Sequence, residues 1–206
     1  MDLTTVLHTR RRLLGGLAVG SAVLALPACT SYGGGYGLVD AIRRLLFLSS
    51  ERAFARMLES GGFWDRQVAE VGLPNILGAR GDVLNRILTS GLFKSRLDRA
   101  FGDIAYRAAE RAAPLVTDAV RVIGFDNAVD LVRGGPSAAT MHLRAAIGPT
   151  RLVEAMVPEL ASALRVARDP LVGEALSALA GVDLTDTATL FAASIDDVIW
   201  REIGSE

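Results

Sequence analysis

The chain has 206 residues, half of them hydrophobic and 22% charged, with a formal net charge of −1; such a chain folds as one domain or two small ones and is not a disordered polymer. Beyond residue 28 there are 19 basic and 22 acidic residues, a balance that excludes the clustered cations of a nucleic-acid-binding face. Residues 40–112 carry 12 bases and 9 acids, and 113–206 carry 7 and 13, a mild polarity that needs no functional reason.

The first element is an address. Arg10, Arg11 and Arg12 precede sixteen almost wholly apolar residues, Leu13 to Ala28. That run falls short of the roughly 20 residues a helix needs to cross a bilayer. A charged start, a short apolar centre and a small residue before a break describe a secretory signal over residues 1–28. Its end, Leu26-Pro27-Ala28-Cys29, resembles a lipobox: the Cys29 thiol accepts a diacylglycerol and the small Ala28 fits the peptidase subsite. Cys29 is the only cysteine in the chain. An exported free thiol would be open to oxidation, which favours acylation over plain cleavage after Ala28. Thr9-Arg10-Arg11-Arg12-Leu13-Leu14 also resembles a twin-arginine export motif carried by Arg10 and Arg11, the alternative being a general secretory signal rich in arginine. Residues 29–37 are glycine-dense and read as a flexible tether. Thr30, where an aspartate would retain the protein at the inner membrane by the rule for enteric bacteria, points to the outer membrane.

From residue 38 onwards helical periodicity dominates. Leu38, Ile42, Leu45, Leu46 and Ser49 with charges between them predict an amphipathic helix over 38–60, stopped by Gly61-Gly62. Val68, Val71 and Leu73 predict at most a short extended segment near 66–74. Helices follow over 79–90 and 93–112, the second closed by Pro114, then 115–123, and 127–133 capped by Asp126. Pro136 or Ser137 opens a helix over 138–147. Further helices cover 150–168, with Pro158 as a kink or first-turn residue, 170–180, and 186–203 capped by Thr185. The expectation is an all-α, bundle-like single domain over 38–206, with about seven to nine helices and no repeat.

Read in order, "GLVDAI" (37–42), "GGFWDRQVAEVGLP" (61–74), "YRAAERAAP" (106–114), "FDNAVDLVRGG" (125–135) and "AATMHLR" (138–144) resemble a family of bacterial envelope proteins, the domain of unknown function 4197. The shared marks fall on Gly37, Gly62, Leu73, Pro74, Arg107, Glu110, Pro114, Gly134, Ala139, Thr140 and Arg144. Tyr106 stands where the family usually has asparagine and His142 where it has an aromatic residue; the end after about Ala192 is short of the family's basic tail. The resemblance implies a helical fold and an envelope location, and no activity.

Chemistry is sparse. With no cysteine after Cys29 and one histidine beyond the leader, zinc, haem and iron–sulfur ligand sets cannot be assembled, and no cofactor is expected. His142 is the one candidate general base near neutrality, with Ser137 and Asp130 nearby in sequence. Residues 137 and 142 lie about 140° apart around a helix, so a hydrogen-bonded helix residue is preferred to a hydrolase centre. Arg107 and Glu110 are three apart and can pair; with Thr140 and Arg144 they are either a polar pocket cluster or a salt bridge fixing helix register. Asp196 and Asp197 read as a solvated face. Phe63 and Trp64 are read as a core plug, the alternative being an exposed knob.

These readings converge on a periplasm-facing lipoprotein, held to the membrane by its N-terminal lipid. It is expected to be a non-catalytic module that binds an apolar or lipid-like ligand or another envelope protein. A hydrolase centred on His142 and a purely structural component are the alternatives.

Overall fold

The computed structural model describes residues 36–72, 91–124, 128–165, 170 and 184–206. The signal, the lipobox, most of the tether, Leu73, Pro74, Asp126 and the helices expected over 79–90 and 170–180 lie outside them. The described residues hold seven helices and no strand: α1 (Tyr36–Met57), α2 (Phe63–Val71), α3 (Gly91–Val122), α4 (Ala128–Arg133), α5 (Pro136–Ile147), α6 (Arg151–Arg165) and α7 (Leu184–Ser205). The all-α expectation is met. Tyr36 and Gly37, assigned to the tether, are the first residues of α1.

Two elements differ from expectation for physical reasons. The segment read as extended is the helix α2: Trp64, Val68 and Val71 are spaced i, i+4, i+7, and the first two are buried against α3. Gly62 enters it in the left-handed conformation, φ 72°, which glycine adopts without steric cost. Phe63 and Trp64 are the core plug, their rings meeting edge to face at 5.2 Å. The second difference is at Pro114. The two helices expected on either side of it are one, α3, which runs through the proline. Pro114 is exposed, so its ring strains the solvent side alone, and the Thr117 hydroxyl donates to the Ala113 carbonyl at 2.9 Å. On the opposite face Ala105, Ala108, Ala109, Ala112, Val116 and Val120 are all fully buried. That continuous stripe on both sides of the proline outweighs the one backbone hydrogen bond it removes.

α3 is the central element. α1, α2 and α6 pack on it, and α7 joins it through Phe101 and Phe191, whose rings meet edge to face at 5.6 Å. α6 presents Leu152, Met156, Leu160 and Leu164, one residue per turn, to α7. Pro158 is exposed and lies inside α6. α7 is also tied to α1, where Arg56 meets Glu202 and Glu206 at 2.6 Å each. Thr185, expected as its cap, sits inside its first turn.

α2 approaches α3 closely. A Cβ at Gly102 would collide with the Asp65 carboxylate and come within 2.9 Å of the Asp65 backbone nitrogen. Gly102→Ala is therefore expected to destabilise the domain by about 1–3 kcal/mol, read from the midpoint of urea unfolding; a neutral midpoint would contradict the packing described for α2.

Candidate functional site

α5 and α7 enclose an open cleft of about 400 Å³, lined by Ser137, Thr140, Met141, Arg144, Asp197, Trp200, Arg201, Gly204 and Ser205. This lies in the size range of small-molecule sites, roughly 300–1,000 Å³. Each helix contributes one face. Ser137, Thr140, Met141 and Arg144 recur at spacings of three, four and seven along α5, as do Asp197, Trp200, Arg201 and Gly204 along α7.

A charged cluster joins the two helices at the cleft. Arg144 Nη2 donates to Asp196 Oδ2 at 2.6 Å and to Asp197 Oδ1 at 2.7 Å. Trp200 Nε1 donates to the other Asp196 oxygen at 2.8 Å. Asp196 is 3% exposed, which corrects its reading as solvated. Asp197 is the solvated member, as adjacent residues about 100° apart on a helix require. Burial pushes the Asp196 carboxyl up from its usual range, while the Arg144 charge and the hydrogen bonds from Trp200 and Arg144 hold it down.

The structure divides the four residues proposed as one polar cluster. Thr140 and Arg144 line the cleft. Arg107 instead reaches from α3 to Glu159 of α6, with Nε 3.9 Å from Oε1, and Glu110 is exposed on α3. The pairing expected within that helix gives way to one between helices. His142 is half-buried, its Nε2 3.2 Å from the Gly124 carbonyl oxygen. That contact requires a proton on Nε2 and braces α5 against the end of α3. Ser137 lines the cleft and His142 does not.

A second buried acidic group lies between α2 and α3. Burial raises the Asp65 and Asp98 carboxyls, and one oxygen of Asp98 has no hydrogen-bond partner among the described residues. Among the described residues no set of three or more His, Cys, Asp or Glu could hold a metal ion, and no helix is long and apolar enough to cross a membrane.

The site is thus an amphipathic cleft on an all-α domain, with hydroxyls and guanidinium groups beside methionine and indole surface. The sequence profile of the family described as protein of unknown function (DUF4197) matches residues 36–203, and the chain belongs to that family. No curated protein and no solved structure matches it.

The cluster makes a pH-dependent prediction. Arg144→Met leaves the buried Asp196 carboxylate with Trp200 as its remaining partner. Arg144 is 41% exposed, so screening reduces the cost at pH 7 to about 1–3 kcal/mol. An aspartate with a raised folded-state pKa stabilises the fold when protonated, below its unfolded value, and loses that contribution as pH rises through the folded value. Without Arg144 the Asp196 pKa climbs further, so the variant's deficit is expected to shrink as pH falls from 7 toward 4. Urea unfolding of both proteins at several pH values checks this; a constant deficit would contradict it.

Proposed function

We propose that this chain is an exported, lipid-anchored binding module whose cleft between α5 and α7 holds an apolar or lipid-like ligand. The N-terminal residues support the anchor: an arginine-led apolar run of sub-membrane length ends in Leu26-Pro27-Ala28-Cys29. In this reading Cys29 carries the acyl chains, Arg10 and Arg11 direct export, and the domain faces the periplasm from the outer membrane.

One observation carries the binding reading: the cleft sets exposed apolar surface beside convergent polar groups. Met141 is 61% exposed at its edge, Trp200 forms part of its wall, and Thr140, Ser137 and Arg144 face the same space. Small-molecule sites combine apolar lining with a few fixed polar groups in this way. The cleft's carboxylate, Asp197, is bound to Arg144, and the half-buried His142 is engaged at Gly124. Such a lining suits holding a molecule more than transforming one.

Gly204 provides a way to fill the cleft. A Cβ placed there would meet Thr140 at 3.8 Å, ordinary van der Waals contact, and the open cleft lies beyond it, so Gly204→Leu is expected to fold and to occupy the space. Native mass spectrometry of the mature chain from an exporting host is expected to show a lipid-like adduct that Gly204→Leu abolishes. A bare mass for the parent chain would overturn the binding reading. The intact mass is expected to show acylated Cys29, and an unmodified Cys29 would overturn the anchor.

A further inference from the structure

The first helix of the domain carries an apolar stripe that its described neighbours leave open. Ala41, Leu45 and Leu48 recur at i, i+4 and i+7 along α1 and so share one face. All three are exposed, Leu45 by 65% and Leu48 by 37%. Ile42, Leu46, Ala53 and Met57 occupy another face of the helix and supply its buried contacts with the core, so the stripe is not a frayed margin of that core. The next position in its register is the exposed Arg52, followed by Ala55, Arg56 and Glu59. The apolar part of the outer face is thus confined to the half of α1 that begins at Tyr36.

That half is the one nearest the anchor. Six residues separate Cys29 from Tyr36, a span that reaches at most about 25 Å when fully extended. Leu45 lies nine residues into α1, roughly 13 Å along its axis. An acylated Cys29 therefore holds the stripe within reach of the bilayer. The size of the stripe decides between a bilayer and a second copy of the chain as its occupant. Two leucines and an alanine cannot supply the roughly 800 Å² per partner that a stable dimer needs. A tethered contact needs far less, because the anchor keeps the helix at high effective concentration beside the surface. Arg44 and Arg52 border the leucines; their stems can cover apolar surface while the guanidinium groups reach headgroup phosphates. Asp40 pairs with Arg43 at 2.9 Å and Glu51 adjoins Arg52. Apolar burial, not net charge, drives the contact.

We propose that the face of α1 bearing Ala41, Leu45 and Leu48 docks on the bilayer that holds the acylated Cys29. The leucines sit at the boundary between headgroups and acyl chains, and α3, with α6 packed on it, is turned to the aqueous side. The domain is then held in one orientation instead of swinging on its tether. This assignment rests on the lipid-anchor reading and is independent of what the α5–α7 cleft binds.

Acylation consumes the only thiol of the chain, so one introduced cysteine carries a label alone. Ala41→Cys on the stripe and Ser162→Cys on α6, both at exposed positions, are labelled with an environment-sensitive fluorophore in the acylated mature chain. The protein is inserted into phosphatidylcholine vesicles with and without a lipid bearing a nitroxide on its headgroup. The label at residue 41 is expected to be blue-shifted and quenched by the nitroxide about threefold or more beyond the label at residue 162. Leu45→Gln with Leu48→Gln is expected to bring the two labels to the same low quenching, and Leu45→Phe with Leu48→Phe to preserve the difference. Unchanged urea midpoints show that these variants fold, and Leu45→Gln alone, at the more exposed leucine, is expected to act in the same direction. Replacing part of the lipid with phosphatidylglycerol is expected to change nothing; quenching that requires the anionic lipid would overturn the apolar contact. Equal, weak quenching at both positions, on a chain whose intact mass shows acylated Cys29, would overturn the docking and leave the anchor standing. Shielding at residue 41 that rises with protein density and is not quenched by the nitroxide would overturn it in favour of a second copy. An unmodified Cys29 would bring down the anchor reading, and the docking with it.

Discussion

A buried carboxylate sets the terms for this structure. Asp196 lies within the apolar face of α7, between Ile195 and Val198. There an ionised group is costly unless its oxygens are engaged. Trp200 supplies one partner from the next turn of the same helix, and Arg144 supplies the other from α5. Satisfying Asp196 therefore specifies the register of α5 on α7, and that register places Thr140 opposite Gly204. Hydrophobic contact alone is non-directional and would allow α5 to slide. The cleft follows from the ion pair, with Arg144 its bridge and one of its walls.

That arrangement is available because α7 is itself held on several sides. Leu152, Met156, Leu160 and Leu164 of α6 pack against it, Phe101 reaches it from α3, and Arg56 of α1 holds its end through Glu202 and Glu206. α3 accepts its neighbours closely through a stripe of alanines. Gly102 permits contact between α2 and its backbone that no side chain would allow. Small residues at the centre and larger ones around it let the helices approach closely. The cleft is cut into the α5–α7 side of this core.

Much of this was legible from the residue order, and the failures have identifiable physical sources. Apolar periodicity located α1, α5, α6 and α7 to within a few residues, and Gly61-Gly62 lies in the break between α1 and α2. Pro114 misled because a proline's cost depends on which face it occupies; only the alanine stripe around it, read as one face, reveals that the helix continues. α2 was hidden because Val68 and Val71 fit a short strand until Trp64 is counted with them. Of the site, Thr140 and Arg144 were legible only as members of a polar cluster that also took in Arg107 and Glu110. Their partners Asp196, Trp200 and Gly204 lie more than fifty residues away, and local pattern carries no information on which helix faces which. A signal for Asp196 did exist: an acid flanked by Ile195, Val198 and Ile199 on one helical face is a charge in an apolar stripe.

The register of α5 on α7 depends on Arg144 and Asp196 acting as a unit across their boundary. A double-mutant cycle of Arg144→Met and Asp196→Asn, read by urea unfolding at pH 7, measures that dependence directly. Coupling of about 1.5 kcal/mol or more is predicted, well above the roughly 0.3–0.5 kcal/mol within which independent sites add. Additive losses would show that the two residues do not hold the helices in register, and the origin assigned to the cleft would be wrong.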